Sequence, residues 1–472
     1  MTTRRIVGAG IASVVGWCAL GLLSQHEFAR VYHVWGSLAW GWFWLAWGMW
    51  AASGPNSGTN LARQSRWSSR SLLWIGVFAV LFRVCGLFSP PILEDDYFRF
   101  LWDGRMMALT GNPYTTSPAA HFGDSSIQPN FQAILDSVNH PDVPTVYGPV
   151  CQAAFAGAYW VSPGELWPWK LLLLFAEVGM AWGLWDWSRH TSSPQGQGCV
   201  MDPIRVIWFA SWCPLAVFET SFNAHPEALA VSLMVVAVAT FGRGALWIGG
   251  FVAGLAVATR IFALPWVPFL LGFSRRGWTG FGAALAISYL PFWLQGNLAD
   301  LSGVLAMGRE WEFNSSFFAV FQWAVGSGTA RVMSLLIFTG IVVALLAREW
   351  KRRFQIKGDS DCNPLTSLAP GWVYSALWLL AATVNPWYLL WLLPFAALRP
   401  RIVWLTALML VSISYGTGLN LAEPRLGVFE HPAWVRFFEY GGIAAAVGWE
   451  ILQARRHGGR PRSPAPQPNG KI

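Results

Sequence analysis

Charge is scarce in this chain. Asp, Glu, Lys and Arg make up 12% of its 472 residues, against roughly 25% in ordinary soluble domains. That deficit excludes a chain built mainly as a water-facing globule. Cysteine is scarce too: Cys18, Cys85, Cys151, Cys199, Cys213 and Cys362 are scattered, mostly within apolar runs. They show neither metal-ligand spacing nor a disulfide framework. No glycine-rich phosphate loop, zinc motif or nucleophile elbow occurs. No polar stretch is long enough for a cytoplasmic nucleotide-binding domain, and no internal repeat stands out of the kind that marks many transporters.

What is abundant is apolar sequence, 54% of residues. Runs of about 15–20 such residues recur from end to end, the length that crosses a hydrocarbon core. A transmembrane barrel would need short alternating segments instead. The expected fold is therefore an all-α polytopic membrane protein of about 12–14 transmembrane helices. Residues Ile6 to Leu23 follow Arg4 and Arg5 in the manner of a signal peptide. They lack a small-residue cleavage site and are soon followed by a second apolar run, so they read as a retained helix. The 32 Trp fit interfacial belts. The net charge of +8 sits in short loops between spans, which the positive-inside rule explains better than nucleic-acid binding.

Those loops set the orientation. Arg4–Arg5, Arg63/Arg66/Arg70, Arg189/Arg205, Arg243, Arg275–Arg276, Arg348–Arg353, Arg399/Arg401 and the tail from Arg455 are read as cytoplasmic, with both termini inside. Spans are expected near 6–23, 34–52, 71–89, 168–187, 204–218, 227–242, 244–259, 261–273, 279–295, 332–348, 371–384, 388–398, 402–416 and 435–453. Segment 149–162, short and opened by Pro149, is read as re-entrant or packed within the bundle, and 315–326 likewise. Residues 1–454 then form one membrane domain, followed by a basic Pro/Gly-rich tail, 455–472, expected to be disordered. The motifs "EDDYFRFLWDGR", "PTVYGP", "NAHPEA", "REWEFNSS", "VNPWY" and "EPRLGVFEHP" all fall on the external face. The largest external segment is 90–148.

The stretch "PPILEDDYFRFLWDGRMMALTGNPY" gathers Glu94, Asp95, Asp96, Arg99, Asp103 and Arg105 at one membrane edge. Asp95 or Glu94 can cap a helix that Gly111–Asn112–Pro113 stops. On that helix Asp96, Arg99 and Asp103 share one face, while Phe98, Leu101, Trp102 and Leu109 share the other. It reads as an amphipathic juxtamembrane helix with its apolar face on lipid or bundle and its charged face on a cavity. The plain reading is a solvated surface helix with a weak Asp96–Arg99 pair. The functional reading is a carboxylate that can deprotonate a hydroxyl group, beside arginines that can bind a lipid phosphate.

Other residues extend this site or have plainer uses. His225 and Glu227 open a span, as caps or as cavity residues. Arg260 snorkels or holds phosphate. Glu177, inside an apolar run, serves function or an interhelical hydrogen bond. Tyr147, and Trp387 with Tyr388, sit at span ends as interface anchors or substrate contacts. Asn314 in "WEFNSS" belongs to the same external set.

The stretch from Glu94 to Tyr114 resembles the first external loop of the GT-C superfamily of integral-membrane glycosyltransferases, in particular the polyprenyl-phosphate-mannose-dependent mannosyltransferases and their bacterial relatives. The similarity continues through "TVYGPV", "NAHPEALAVSL", "ATRIFALPWVPFLL", "WEFNSS" and "NPWYLLWLLP", over about residues 70–400. It differs from the simplest pattern in having two spans before the one that leads into the loop. The resemblance implies a catalytic acid in that loop, Asp96 or Asp95, acting as general base in an inverting single displacement. Polyprenyl phosphate leaves against Arg99, Arg105 or Arg260. Asp103, Tyr147, His225, Glu227, Asn314, Trp387 and Tyr388 are then candidates to contact substrate. With no nucleotide domain, the sugar donor arrives on a lipid. The sugar is expected to be mannose and the acceptor a glycan or glycolipid outside a bacterial inner membrane. No cofactor is required, although paired acids can hold a divalent metal. A transporter or flippase of lipid-linked sugars is the alternative, and a non-catalytic assembly subunit a further one.

Overall fold

The computed structural model describes residues 2–25, 30–53, 69–191, 202–296, 301–355 and 367–458. Arg63, Arg66, Cys199, Cys362 and the tail beyond residue 458 lie outside the described residues. All regular elements among the described residues are helical, and an isolated bridge joins Phe313 to Thr383. The chain is an all-α polytopic membrane protein. Seven described helices are 19 to 29 residues long: Thr2–Gln25, Val31–Ser53, Ser69–Leu87, Trp167–Thr191, Arg275–Trp293, Ser327–Gln355 and Ala433–Gly458. The last of these carries Arg455 and Arg456, so the helix runs slightly past the expected start of the tail.

Three described helices, Thr3–Gln25, Ser69–Leu87 and Ser327–Phe354, are long and apolar enough to cross a membrane singly. Several other expected spans are broken. The run 204–218 becomes Pro203–Trp212 and Pro214–Val217, passes through a π-turn at Phe218–Phe222, and bends by 120° into Glu227–Gly242. The run 261–273 becomes a 3-10 turn, Ile261–Trp266, and a short helix, Val267–Leu271. Residues 386–398 likewise pass from 3-10 to α-helix at Leu393. Pro214, Pro265, Pro268, Pro386 and Pro394 account for these breaks, since proline lacks the amide that continues a helix. Irregular backbone is tolerated at this depth because protein surrounds it; Tyr388 through Leu398 are all buried.

Buried ion pairs and caps hold the helices that support the site. Arg83 donates to both carboxylate oxygens of Glu177, at 3.0 and 2.8 Å. Glu177 therefore serves as an interhelical partner. Lys170 donates to the Gly86 and Ser89 carbonyls, at 2.9 and 2.6 Å. That gives partners to one carbonyl in the last turn of Ser69–Leu87 and one just past it, shortly before the acidic stretch.

Segment 90–148 folds as expected into a helix, Asp96–Thr110, ended by Gly111 in a left-handed conformation. Its apolar face, expected on lipid or bundle, meets the loop itself instead. Trp102 and Met106 pack with Ile127, Phe131, Ile134, Leu135 and Val138, so the loop's own short helix, Pro129–Asp136, covers that part of the face, while Leu109 stays exposed. Arg99 and Asp103 are buried on the other side, and Gln152 of Pro149–Val161 donates to Asp103. Gly104 permits that approach: a Cβ there would stand 2.7 Å from the Phe155 carbonyl oxygen. Segment 149–162, read as re-entrant or packed within the bundle, buries Cys151, Gln152, Phe155, Ala156 and Ala158 and leaves Trp160 and Val161 exposed at its end. Segment 315–326, read the same way, packs less: in Phe317–Val325 only Phe318 is buried, and Trp323 is 89% exposed. Its apolar residues stand on all sides of a short helix, so one packed face leaves the rest outside.

Candidate active site

Three successive acids enter one cavity. After Pro90–Pro91 the Ile92 amide donates to Asn223 Oδ1 at 3.1 Å, and Leu93 takes a left-handed turn with φ 68°. Glu94, Asp95 and Asp96 follow at the N-terminal end of the loop helix, where the helix dipole favours negative charge. Asp95 occupies the N-cap but makes no capping bond. Instead, Asn139 Nδ2 donates to Asp95 Oδ1 and Asp96 Oδ1, both at 2.8 Å. Burial, then the charges of Asp96, Glu219 and Asp95, push the Glu94 carboxyl well above its ordinary value. Burial and then Asp96 raise Asp95 also, against the Asn139 hydrogen bond. A carboxyl held above its usual range is poised nearer to neutral-pH proton transfer.

Asn139 is itself held by Arg99. The guanidinium donates to the carbonyls of Asn139 and His140, both at 2.9 Å, and to those of Val143 and Pro144, at 2.9 and 2.6 Å. Its terminal nitrogens are thus occupied as a clamp on loop 139–144. Asp103 supports the same loop from behind, accepting from Thr145 Oγ1 at 2.6 Å and Gln152 Nε2 at 2.9 Å. Arg105 lies away from the acids, over the rings of Trp102 and Phe131.

Arg260 lines the same cavity as the acids. The helix Leu246–Thr259 stops there and the backbone becomes extended, which leaves the side chain buried at a break in the bundle. Arg260 pairs with Glu227 at 2.6 Å and lies 5.0 Å from the centre of the Tyr147 ring. Its Nε has no hydrogen-bond partner. Gly148 sets this geometry, for a Cβ there would stand 2.2 Å from the Ala258 carbonyl oxygen. Burial, then the Asp96 charge, raises the Tyr147 phenol well above its usual range, with Arg260 opposing.

The cavity these groups enclose is about 300 Å³ and is lined by Glu94, Asp95, Asp96, Arg99, Asn139, His140, Tyr147, Arg260, Trp311, Trp387 and Tyr388, among others. His140 stacks on Trp311 with ring centres 4.3 Å apart. Met307, Trp311, Thr383 and Tyr388 also wall a second, largely apolar cavity of about 230 Å³, lined further by Phe262, Phe318, Leu335, Phe338, Leu377 and Trp378. Arg331 enters this groove, donating to the Gly308 carbonyl at 2.7 Å and lying over the Phe318 ring.

Of the residues expected at the site, Asp95, Asp96, Arg99, Tyr147, Arg260, Trp387 and Tyr388 line the acid cavity. Asp103, Arg105, His225, Glu227 and Asn314 do not line it. His225 lies behind Trp387 and Glu227 behind Arg260. Asn314 donates to both oxygens of Glu439, at 3.1 Å. Asn139, His140 and Arg331 lay outside the quoted motifs, and Trp311, inside "REWEFNSS", was not singled out. The one signal for Asn139 and His140 was residence in segment 90–148, expected on the external side. Among the described residues no group of three or more His, Cys, Asp or Glu is arranged to hold a metal ion.

Comparison with known proteins bears on the family of the chain. A family model described as alpha-(1->6)-mannopyranosyltransferase, N-terminal domain, matches residues 6–275, more than half of the chain. The chain is 27% identical over 345 residues to Alpha-(1->6)-mannopyranosyltransferase A of Mycobacterium tuberculosis (strain ATCC 25618 / H37Rv), a match over 66% of this chain and 62% of that relative. The chain thus spans less than two thirds of the relative's length. No solved structure matches.

Proposed function

The chain belongs to the alpha-(1->6)-mannopyranosyltransferase family, and from that premise we propose that it transfers a mannosyl group from a polyprenyl-phosphate donor to a hydroxyl of an external glycan or glycolipid. The observation that carries the reading is the junction of two cavities: three acids and Arg260 in one, an apolar groove opening beside it. A donor with a charged phosphate, a polar sugar and a hydrocarbon tail needs that sequence of surroundings.

In this reading the polyprenyl chain lies along Phe262, Phe338 and Trp378, and the mannosyl phosphate reaches past Trp311 and Tyr388. The acceptor hydroxyl loses its proton to Asp96, or to Asp95 beside it, while its oxygen bonds to the anomeric carbon. The bond from that carbon to the phosphate oxygen breaks, and the configuration inverts. The charge growing on the departing phosphate meets Arg260, whose Nε is free to donate. A fixed cation in a low-dielectric cleft gains strength there, because no solvent reorganises as the charge develops. Arg99 acts as the clamp that sets Asn139, and through it both aspartates. Arg260 supplies the positive charge that a metal would otherwise bring, so the scheme needs no cofactor. Residues 1–454 act as one transferase domain, with the acids on the external face of a bacterial inner membrane and both termini in the cytoplasm.

The test supplies full-length protein, reconstituted in bilayer discs with EDTA, with polyprenyl-phosphate mannose or nucleotide-activated mannose and an alkyl α-mannoside acceptor. A new mannosidic bond from the lipid donor alone is expected. Product from the nucleotide donor, or lipid movement with no new bond, overturns the reading.

A further inference from the structure

Behind the aromatic wall lies a buried polar network that the transfer scheme does not use. Glu219 is fully buried in the π-turn Phe218–Phe222. Its carboxylate accepts from the Tyr415 hydroxyl at 3.0 Å and faces His225 Nδ1 at 2.9 Å. Asn223 Nδ2 donates to the Tyr415 oxygen at 3.1 Å, and its Oδ1 takes the Ile92 amide two residues before Glu94. The His225 ring lies flat on the Trp387 indole, with centres 3.7 Å apart and planes 12° apart. One continuous network therefore joins the backbone just before the acids to Trp387, another residue that lines the cavity.

We propose that His225 and Glu219 are positioning residues for the transfer: they fix the Trp387 indole, as a platform for a sugar ring, relative to the acidic stretch. The inference rests on the transferase reading above and assigns the mount of its sugar platform. An indole offers a broad apolar face with defined geometry to the C–H face of a sugar. Such a platform is useful only if its own support is rigid. Packing alone does not explain the network. Apolar side chains of similar volume would fill the space without burying a carboxylate. The local backbone is also unusual: Ala224, between Asn223 and His225, has φ 64°, and π-turns and left-handed non-glycine residues gather at functional sites.

The test varies each substrate in turn, polyprenyl-phosphate mannose and an alkyl α-mannoside, with full-length protein in bilayer discs. Trp387→Leu is expected to raise the KM of one substrate about tenfold, with kcat changed much less, the pattern of lost substrate binding. His225→Leu raises the same KM. Because His225 acts through Trp387, the double variant matches Trp387→Leu, since residues acting as one unit do not add. Glu219→Gln keeps an acceptor for Nδ1–H and keeps KM within about twofold, whereas Glu219→Leu reproduces His225→Leu. If His225→Leu does not fold, His225→Phe keeps the stack without the Glu219 bond, and its KM is expected to rise. Losses that multiply in the double variant, or wild-type KM in His225→Leu or His225→Phe, overturn the positioning role while leaving the transferase reading intact. Absence of transfer by the wild-type protein overturns the transferase reading instead.

Discussion

Glu94, between the aspartates and the buried Glu219, binds its proton more tightly in the folded protein than in an unfolded chain. A raised carboxyl contributes stability that is fully present below its unfolded pKa and is lost as pH climbs through the folded value. Glu94→Gln is therefore expected to melt higher than wild type at neutral pH, with the difference shrinking as pH falls toward about 4, the ordinary range for Glu. A series of melting curves across pH checks it, and a gap that widens in acid contradicts it. Arg260 offers a second test. Arg260→Lys keeps the charge and the Glu227 partner but loses the planar fork, so kcat/KM should fall about 10–100-fold while the melting point barely moves. Kinetics alongside melting curves separate the two effects. The sequence made the acids and Arg260 legible because each is a charge in an apolar neighbourhood. It did not reveal Arg99 as a clamp, because a guanidinium that meets four carbonyls and one that awaits a phosphate read alike. Nor did it single out Glu219, whose partners Tyr415 and Asn223 lie far apart along the chain.

At the scale of elements, the loop helix and the two neighbours of Gly148 decide how the site holds together. Gly148→Ala places a methyl group against the Ala258 carbonyl. Overpacking of that kind costs about 1–3 kcal/mol, and it parts Tyr147 from Arg260. A lower melting point and a higher donor KM are expected together, and a change in neither contradicts the account. Arg99→Lys replaces a planar fork with three donors on one nitrogen, which leaves at least one of the four loop carbonyls without a donor, so Asn139 loses its fixed position. A drop in kcat of about tenfold or more is expected, since small misplacements near the chemistry are costly. Single-turnover kinetics would expose it. Helix existence was readable from apolar runs, and the end of the loop helix from Gly111. The breaks were less so: Pro265 and Pro386 mark them, but only tertiary cover makes irregular backbone affordable inside the bundle. The apolar face of Asp96–Thr110 was assigned to lipid or bundle for lack of any sign that Pro129–Asp136 folds back over Trp102.

For the whole molecule, long apolar runs carried the all-α polytopic architecture, and the expectation that several polar motifs share one face pointed to distant motifs meeting. Asp95, Asp96, Tyr147, Arg260, Trp387 and Tyr388 do share one cavity. The companions that sequence did not supply, His140 on Trp311 and Arg331 in the groove, are products of packing alone. The proposed orientation makes its own prediction: Ser125→Cys, on the exposed tip of the loop segment, should react with a membrane-impermeant maleimide in intact cells, and labelling only after lysis contradicts it. The central claim is that carboxylates of the loop remove the acceptor proton. Mannosyl transfer from polyprenyl-phosphate mannose by Asp95→Asn, Asp96→Asn and the double variant tests it most directly. The double variant is expected to lose kcat by about 10²–10⁴-fold with its fold and donor binding retained. Transfer at the wild-type rate in the double variant contradicts the account.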